Sequence, residues 1–182
     1  MSNEQERRIT PSNPFREWAL RTSNDTAWGS RLARWMGIVL GGLQLRWKVR
    51  PPTDIPWTPL KRPLYEATVA LITTGGVHPC DDTPFVLKSD ATYRAIPRTA
   101  TSADLCITHE HYDRRDAARD LNLIFPMPRL LELEAEGIIG HAAETHYGFG
   151  FTDNPHDLLL PGHEVGTILA RNNVDLVLLV PA

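Results

Sequence analysis

The sequence predicts an α/β protein: a Rossmann-like, open, mostly parallel sheet with flanking helices, preceded by an N-terminal helical arm. Two observations carry that prediction. From residue 64 onward short apolar runs alternate with amphipathic stretches, the order that parallel strands and crossover helices produce. The run Val69, Ala70, Leu71, Ile72 is apolar at every position and gives way almost at once to the paired glycines Gly75 and Gly76. Such a run suits a strand buried on both faces, and the paired glycines let backbone amides approach a ligand where a Cβ would block them. Ligands of open α/β sheets bind beyond the carboxyl ends of the strands. Residues 69–82 are therefore expected to deliver the end of a first strand into a site.

At 182 residues, with 42% hydrophobic and 23% charged composition, the chain is long enough for one globular domain and an additional segment. The net charge of -3 conceals an asymmetry. Residues 1–50 hold nine Lys/Arg against four Asp/Glu, and the remainder ten against eighteen, so the arm is +5 and the body -8. A basic arm suits an acidic body or an anionic surface. So acidic a body excludes nucleic acid as the expected partner.

Residues 1–14 are polar and charged. Over 15–47 the apolar residues Trp18, Leu32, Trp35, Met36, Val39, Leu40 and Leu43 recur at helical spacing, with Arg31, Arg34 and Arg46 between them. This is a basic, Trp-rich helix that packs on the domain or on a second subunit, or alternatively lies on a membrane surface. Pro51, Pro52, Pro56, Pro59 and Pro63 make residues 51–63 an extended connector, which places the α/β domain at 64–182. Strands are predicted near 67–73, 92–96, 104–108, 138–142 and 175–180. Helices are predicted over 128–136, with Gly137 as its C-terminal cap, and over 162–172.

Cys80 and Cys106 are the only cysteines, too few and too distant in sequence for a zinc ribbon, a Cys-x-x-C pair or a disulfide scaffold. A reducing cytoplasm is the expected setting. Residues 35–45 are uncharged and mostly apolar, but a membrane span needs roughly 18 to 20 such residues. The same stretch starts too late to be a cleaved signal peptide.

The chemistry-bearing residues gather after predicted strands. Thr73, Thr74, Gly75 and Gly76 resemble a phosphate cradle only loosely, lacking both Gly-x-Gly-x-x-Gly and a Gly-Lys-Ser/Thr ending. His78 and Cys80 follow, each as readable as a packed core group as a site residue. His109, His111 and Asp113 carry the His-x-His-x-Asp spacing of metallo-β-lactamase-like hydrolases, in which two imidazoles and a carboxylate hold zinc and activate water. That motif continues with His, whereas Arg114 stands here. Asp113, Asp116 and Asp120, interleaved with Arg114, Arg115 and Arg119, also fit a salt-bridged helix face. His146 precedes Gly148 and Gly150 near the end of another strand. A pocket assembled from Thr74, Gly75, Gly76, His78, His109, His111, Asp113 and His146 is the expectation.

Six segments together, in order and spacing, carry a family resemblance: 57–60 (Trp-Thr-Pro-Leu), 69–78 (Val-Ala-Leu-Ile-Thr-Thr-Gly-Gly-Val-His), 90–96 (Asp-Ala-Thr-Tyr-Arg-Ala-Ile), 108–113 (Thr-His-Glu-His-Tyr-Asp), 120–126 (Asp-Leu-Asn-Leu-Ile-Phe-Pro) and 129–133 (Arg-Leu-Leu-Glu-Leu). The chain resembles the glycine/sarcosine/betaine/D-proline reductase selenoprotein B family over roughly residues 56–182, with the arm outside the resemblance.

The resemblance implies reductive cleavage of a carbon–nitrogen bond. A selenolate attacks the carbon α to a carboxylate, and a nearby cysteine resolves the selenium as a selenenyl sulfide. A selenol is more acidic than a thiol of pKa about 8.5, so it is already anionic at neutral pH, as nucleophilic catalysis requires. The resemblance also implies a small-molecule substrate and a larger partner subunit carrying a pyruvoyl group; this chain itself supplies no cofactor. A homo-oligomer is the other partnership to expect.

The sequence departs from the family at its end. The family's selenocysteine follows the last strand, and here residues 177–182 read Val-Leu-Leu-Val-Pro-Ala, so the nucleophile is expected beyond Ala182, past a UGA codon read as stop. The 182-residue chain alone is then expected to be inactive and partner-dependent. Cys80 is the substitute nucleophile the rim offers, with Asp81 and Asp82 opposing its ionisation. Metal-dependent hydrolysis by His109, His111 and Asp113, and a non-catalytic binding or assembly module, are the alternatives to a selenoprotein B-type reductase.

Overall fold

The computed structural model describes residues 57–181 and, apart from them, Pro14. The predicted helical arm and most of the connector lie outside the described residues. The strands and helices described below belong to the unit that contains residues 59–181.

The first strand, β1 (Thr68–Thr73), is the centre of the sheet. Its side chains alternate between faces, and both faces are covered. Val69 and Leu71 join one core, while Ala70 belongs to a second, on which Ile72 packs. This is the physical content of the unbroken apolar run. On one edge β1 pairs in parallel with β7 (Leu176–Val180) through five successive positions, Val69 opposite Leu176 to Thr73 opposite Val180. On the other it pairs in parallel with β5 (His141–Ala142) and then with β6 (Thr145–Phe149).

β3 (Tyr93–Pro97) completes the sheet, but it runs antiparallel to β6. The sheet is therefore mixed: β1, β5, β6 and β7 run parallel, as expected, and the Rossmann-like expectation is corrected at β3, an antiparallel edge strand. The reason lies in the connection before β3. A parallel return needs a crossover of a dozen or more residues, usually a helix, and residues 80–92 hold no helix. A second correction concerns β4 (Leu105–Ile107). Predicted as a further sheet strand, it instead pairs antiparallel with β2 (Val77–Pro79) in a separate two-stranded ribbon. β2 and β6 have no counterpart among the predicted strands.

Among the described residues the helices are few, and the two longer ones stand close to where periodicity placed them. α1 (Arg115–Arg119) is a single turn. α2 (Met127–Ala135) buries Met127 and Leu130 and carries Pro128 in its first turn, where the missing N–H costs nothing. Gly137, at φ 71, follows its end as expected. α3 (Leu159–Arg171) begins three residues before the prediction, because Pro161 is also tolerated in a first turn. It buries Val165 and Leu169, an i,i+4 pair. Together with Ala70, Ala143, Tyr147 and Phe149 they form the core on one side of the sheet. α2, Phe125 and the β2–β4 ribbon cover the other side, with Val69, Leu71, Val77, Ile96, Leu105 and Ile107. Among the described residues no helix is long and apolar enough to cross a membrane.

Candidate functional site

The carboxyl ends of β1, β4, β6 and β7 meet around the turn at 74–76. Its amides are committed internally. Thr74 N–H donates to Val180 O (3.2 Å), and Gly76 N–H to Phe149 O (3.2 Å). Gly75 N–H donates to the Thr73 hydroxyl (3.0 Å). The turn is thus a joint that ties β1 to β6 and β7, and it presents no cradle of free amides to an anion. Gly76 is obligatory: at φ 69 it sits in the left-handed region, and a Cβ there would collide with Thr108 O. Its carbonyl accepts from Thr108 N–H (2.9 Å), joining the turn to the end of β4.

His78 lies in the ribbon, 2% exposed. Its Nδ1 lies 2.7 Å from Pro79 O, which can only accept, so Nδ1 carries the proton. Nε2 then accepts from the Thr108 hydroxyl (2.9 Å). Phe85 packs edge-on against the ring. Burial pushes the imidazole pKa down, against the opposing Pro79 bond. Both ring nitrogens are satisfied, so His78 is a neutral structural group that fastens β2 to Thr108.

His146 is also structural, and more deeply so. Between the β1 pairings to β5 and β6, the opposing chain holds two more residues than β1 does, a bulge at Ala143 and Glu144. The break leaves Leu71 N–H without a strand partner, and His146 Nδ1 accepts it at 2.9 Å. The ring is fully buried beside Phe125. Burial above all pushes its pKa down to about 4. Glu134 and Arg98 brace the same bulge. Glu134 accepts from Ala142 N–H (3.0 Å), and Arg98 donates to Ala142 O (2.9 Å) and to Glu134. Burial raises the Glu134 carboxyl, but the bonds from Ala142, Arg98 and His141 prevail and hold it below its ordinary pKa.

Of the four predicted site histidines, then, only His109 and His111 come together. His109 is buried, and its Nδ1 accepts from His111 N–H (3.1 Å). Its ring lies against Tyr112 (centroids 4.7 Å apart) and edge-on to Phe151 (5.6 Å). His111 is exposed at this rim and stacks on Phe151 at 3.5 Å. Tyr112 hydroxyl donates to Gly75 O (2.9 Å), and burial raises its pKa above the usual phenol range. The loop after β4 is thereby fastened to the loops after β1 and β6. Phe151 is not among the residues the sequence singles out; its signal there is an aromatic residue one step beyond Gly148 and Gly150.

Asp113 does not join the imidazoles as a ligand set. Arg115 holds it in a fork, Nε donating to both carboxylate oxygens (3.0 and 2.8 Å) and Nη2 to Oδ2, while Arg115 N–H donates to Oδ1. Among the described residues no three His, Cys, Asp or Glu side chains are grouped to hold a metal ion. Cys80 is no free nucleophile either. It forms a disulfide with Cys106, its Cα 5.0 Å away across the β2–β4 ribbon. Their sequence separation of 26 masked that closeness, and the expectation of unpaired thiols is corrected.

Residues 48–182 match the sequence model described as glycine/sarcosine/betaine reductase selenoprotein B. The chain is 38% identical over 144 residues to D-proline reductase subunit gamma of Acetoanaerobium sticklandii, covering 78% of this chain and 59% of that protein. It is 33% identical over 94 residues to sarcosine reductase complex component B subunit beta of Peptoclostridium acidaminophilum, covering 49% of this chain and 22% of the relative. With glycine reductase complex component B subunit gamma of Carboxydothermus hydrogenoformans the identity is 29% over 131 residues, 69% of this chain and 30% of the relative. The chain thus spans about three-fifths of the first relative's length and less of the others. No solved structure matches. The match extends over the β1 joint, both core faces and the His109–Phe151 rim, and on that ground the chain belongs to the glycine/sarcosine/betaine reductase selenoprotein B family.

Proposed function

We propose that the chain is the core-forming part of a selenoprotein B-type subunit in a reductase complex that cleaves a carbon–nitrogen bond of a small amino-acid-like substrate. Overall, a dithiol gives two electrons and two protons, the C–N bond becomes C–H and N–H, and a disulfide is released. The family match over residues 48–182 carries this reading. The selenolate that supplies the nucleophile belongs, in this reading, to a segment following β7.

The fold suits that placement. β7 is paired to β1 through Val180, and Val180 O accepts from Thr74 N–H. A residue just past β7 therefore emerges beside the 74–76 joint, at the same end of the sheet as the His109–His111–Phe151 rim. The chain's own residues supply position. The stacked His111 and Phe151 offer a flat aromatic surface with an imidazole edge to a substrate, and Tyr112 locks their loop through Gly75. Such preorganisation fixes the geometry of attack. The gamma, beta and component B subunits among the relatives support a larger partner subunit, which is also the source of a pyruvoyl group if the complex uses one.

Two experiments test the reading. Mass spectrometry of the complete subunit purified from its source supports the placement if a selenium-containing peptide maps beyond β7, whereas a subunit without selenium sinks it. The complete subunit, co-purified with its partner, is then offered glycine, sarcosine, betaine and proline with a dithiol donor. Release of the amine or ring-opened product supports the reaction. A selenium-loaded complex that cleaves none of the four overturns it, and a stable complex without turnover leaves the chain an assembly subunit.

A further inference from the structure

The reductase reading makes no use of Cys80 and Cys106, yet the structure links them at a consequential place. The β2–β4 ribbon is paired at only three positions: Val77 with Ile107, His78 with Cys106, and Pro79 with Leu105. So short a pair of strands is not stable by itself. Side chains alternate along a strand, so His78, Cys80, Cys106 and Thr108 share one face. The disulfide closes one end of that face. The His78–Thr108 hydrogen bond and the Thr108–Gly76 backbone bond close the other. Immediately after Thr108 come His109, His111 and Tyr112, the rim of the candidate site. Cys80 is exposed and Cys106 half-buried, so solvent-borne thiols reach the first sulfur.

We propose that Cys80–Cys106 is a thiol–disulfide exchange site whose reductant is a dithiol, and that its redox state sets the order of the ribbon and, through Thr108, the placement of the His109–Tyr112 loop. A thiolate of the dithiol attacks Cys80 Sγ. The Cys80–Cys106 bond breaks, a mixed disulfide forms on Cys80, and Cys106 leaves as a thiolate that takes up a proton. The second thiol, once deprotonated, attacks the reductant's sulfur in the mixed disulfide and releases Cys80, which is protonated in turn. Two electrons and two protons pass from the dithiol to the two cysteines, and the reductant becomes a disulfide. The exposed carboxylates Asp81 and Asp82 beside Cys80 repel the attacking thiolate of glutathione, with two net negative charges, more strongly than the singly charged thiolate of an otherwise neutral dithiol, which also resolves its own mixed disulfide.

The test uses the intact chain purified without reductant and requires no variant. Native protein is treated with dithiothreitol or, at equal thiol concentration, with glutathione, then alkylated, and the Cys80 and Cys106 peptides are weighed. Hydrogen exchange is followed in parallel over residues 105–112 and over β1 and β7. Both cysteines should become alkylated with dithiothreitol without denaturant, about tenfold more slowly with glutathione. Exchange over 105–112 should rise about tenfold while β1 and β7 stay protected. Alkylation before any reductant, or only after denaturation, overturns the exchange site. Reduction that leaves 105–112 unchanged, or that exposes β1 and β7 equally, overturns the coupling to the rim. None of these readings depends on reductase activity, so failure here is distinct from failure of the functional proposal.

Discussion

The Leu71 N–H donates to His146 Nδ1 at 2.9 Å, so a side chain takes the place of a strand partner at the centre of the sheet. β5 and β6 form in effect one interrupted strand, and the imidazole bridges the interruption. A backbone donor buried beside a bulge must find an acceptor or lower the stability of the fold.

Replacing His146 with Phe keeps a flat ring, slightly larger than the imidazole, and removes the acceptor. Leaving Leu71 N–H unpaired should cost about 1–3 kcal/mol. Urea denaturation of the intact chain measures it, and a loss below a few tenths would mean that water or another group takes over the amide.

His146 also makes stability depend on pH. Its folded pKa is pushed down to about 4 from an ordinary value of 6.5. Between those values the unfolded chain binds the proton and the folded chain does not. The stabilisation is therefore fully present above pH 6.5 and is lost as the pH falls toward 4, by an amount on the order of 3 kcal/mol. His78, also shifted down, acts in the same direction. Chemical denaturation midpoints across this range should fall with acidification, and less steeply in the His146→Phe variant.

The two core histidines should be opposite tautomers. Pro79 O can only accept, so His78 is protonated on Nδ1; Leu71 N–H can only donate, so His146 is protonated on Nε2. Nitrogen NMR at neutral pH distinguishes the two forms directly. Finding the same tautomer at both positions would contradict one of the two hydrogen bonds.

Gly76 and Gly137 share a left-handed φ, 69 and 71, but not their surroundings. A Cβ at Gly137 meets nothing within 4 Å, whereas one at Gly76 meets Thr108 O. Gly137→Ala should cost about 1–2 kcal/mol from backbone strain alone. Gly76→Ala should cost clearly more and disturb the His109 loop, since the neighbour it strikes is backbone. Equal losses in denaturation experiments would show that φ, and not the contact with Thr108, decides.

The sequence by itself determined the elements whose physics is local. The apolar run of β1 specified burial on both faces, the leucines of α2 and the Gly137 cap specified that helix, and ordered motifs identified the family. It did not determine the direction of β3, the exile of β4 into a ribbon, or the company of any histidine. Those depend on contacts between residues far apart in the chain: Cys80 with Cys106, Tyr112 with Gly75, His111 with Phe151. His78 and His146 resemble site residues in a one-dimensional reading because a histidine after an apolar run looks the same whether it serves a ligand or a stranded amide. Only the fold shows that Thr108, Pro79 O and Leu71 N–H already hold them. The turn at 74–76, which in sequence resembles a phosphate cradle only loosely, is decided in the same way, since its three amides are spent on Val180, Thr73 and Phe149 and bind the sheet together.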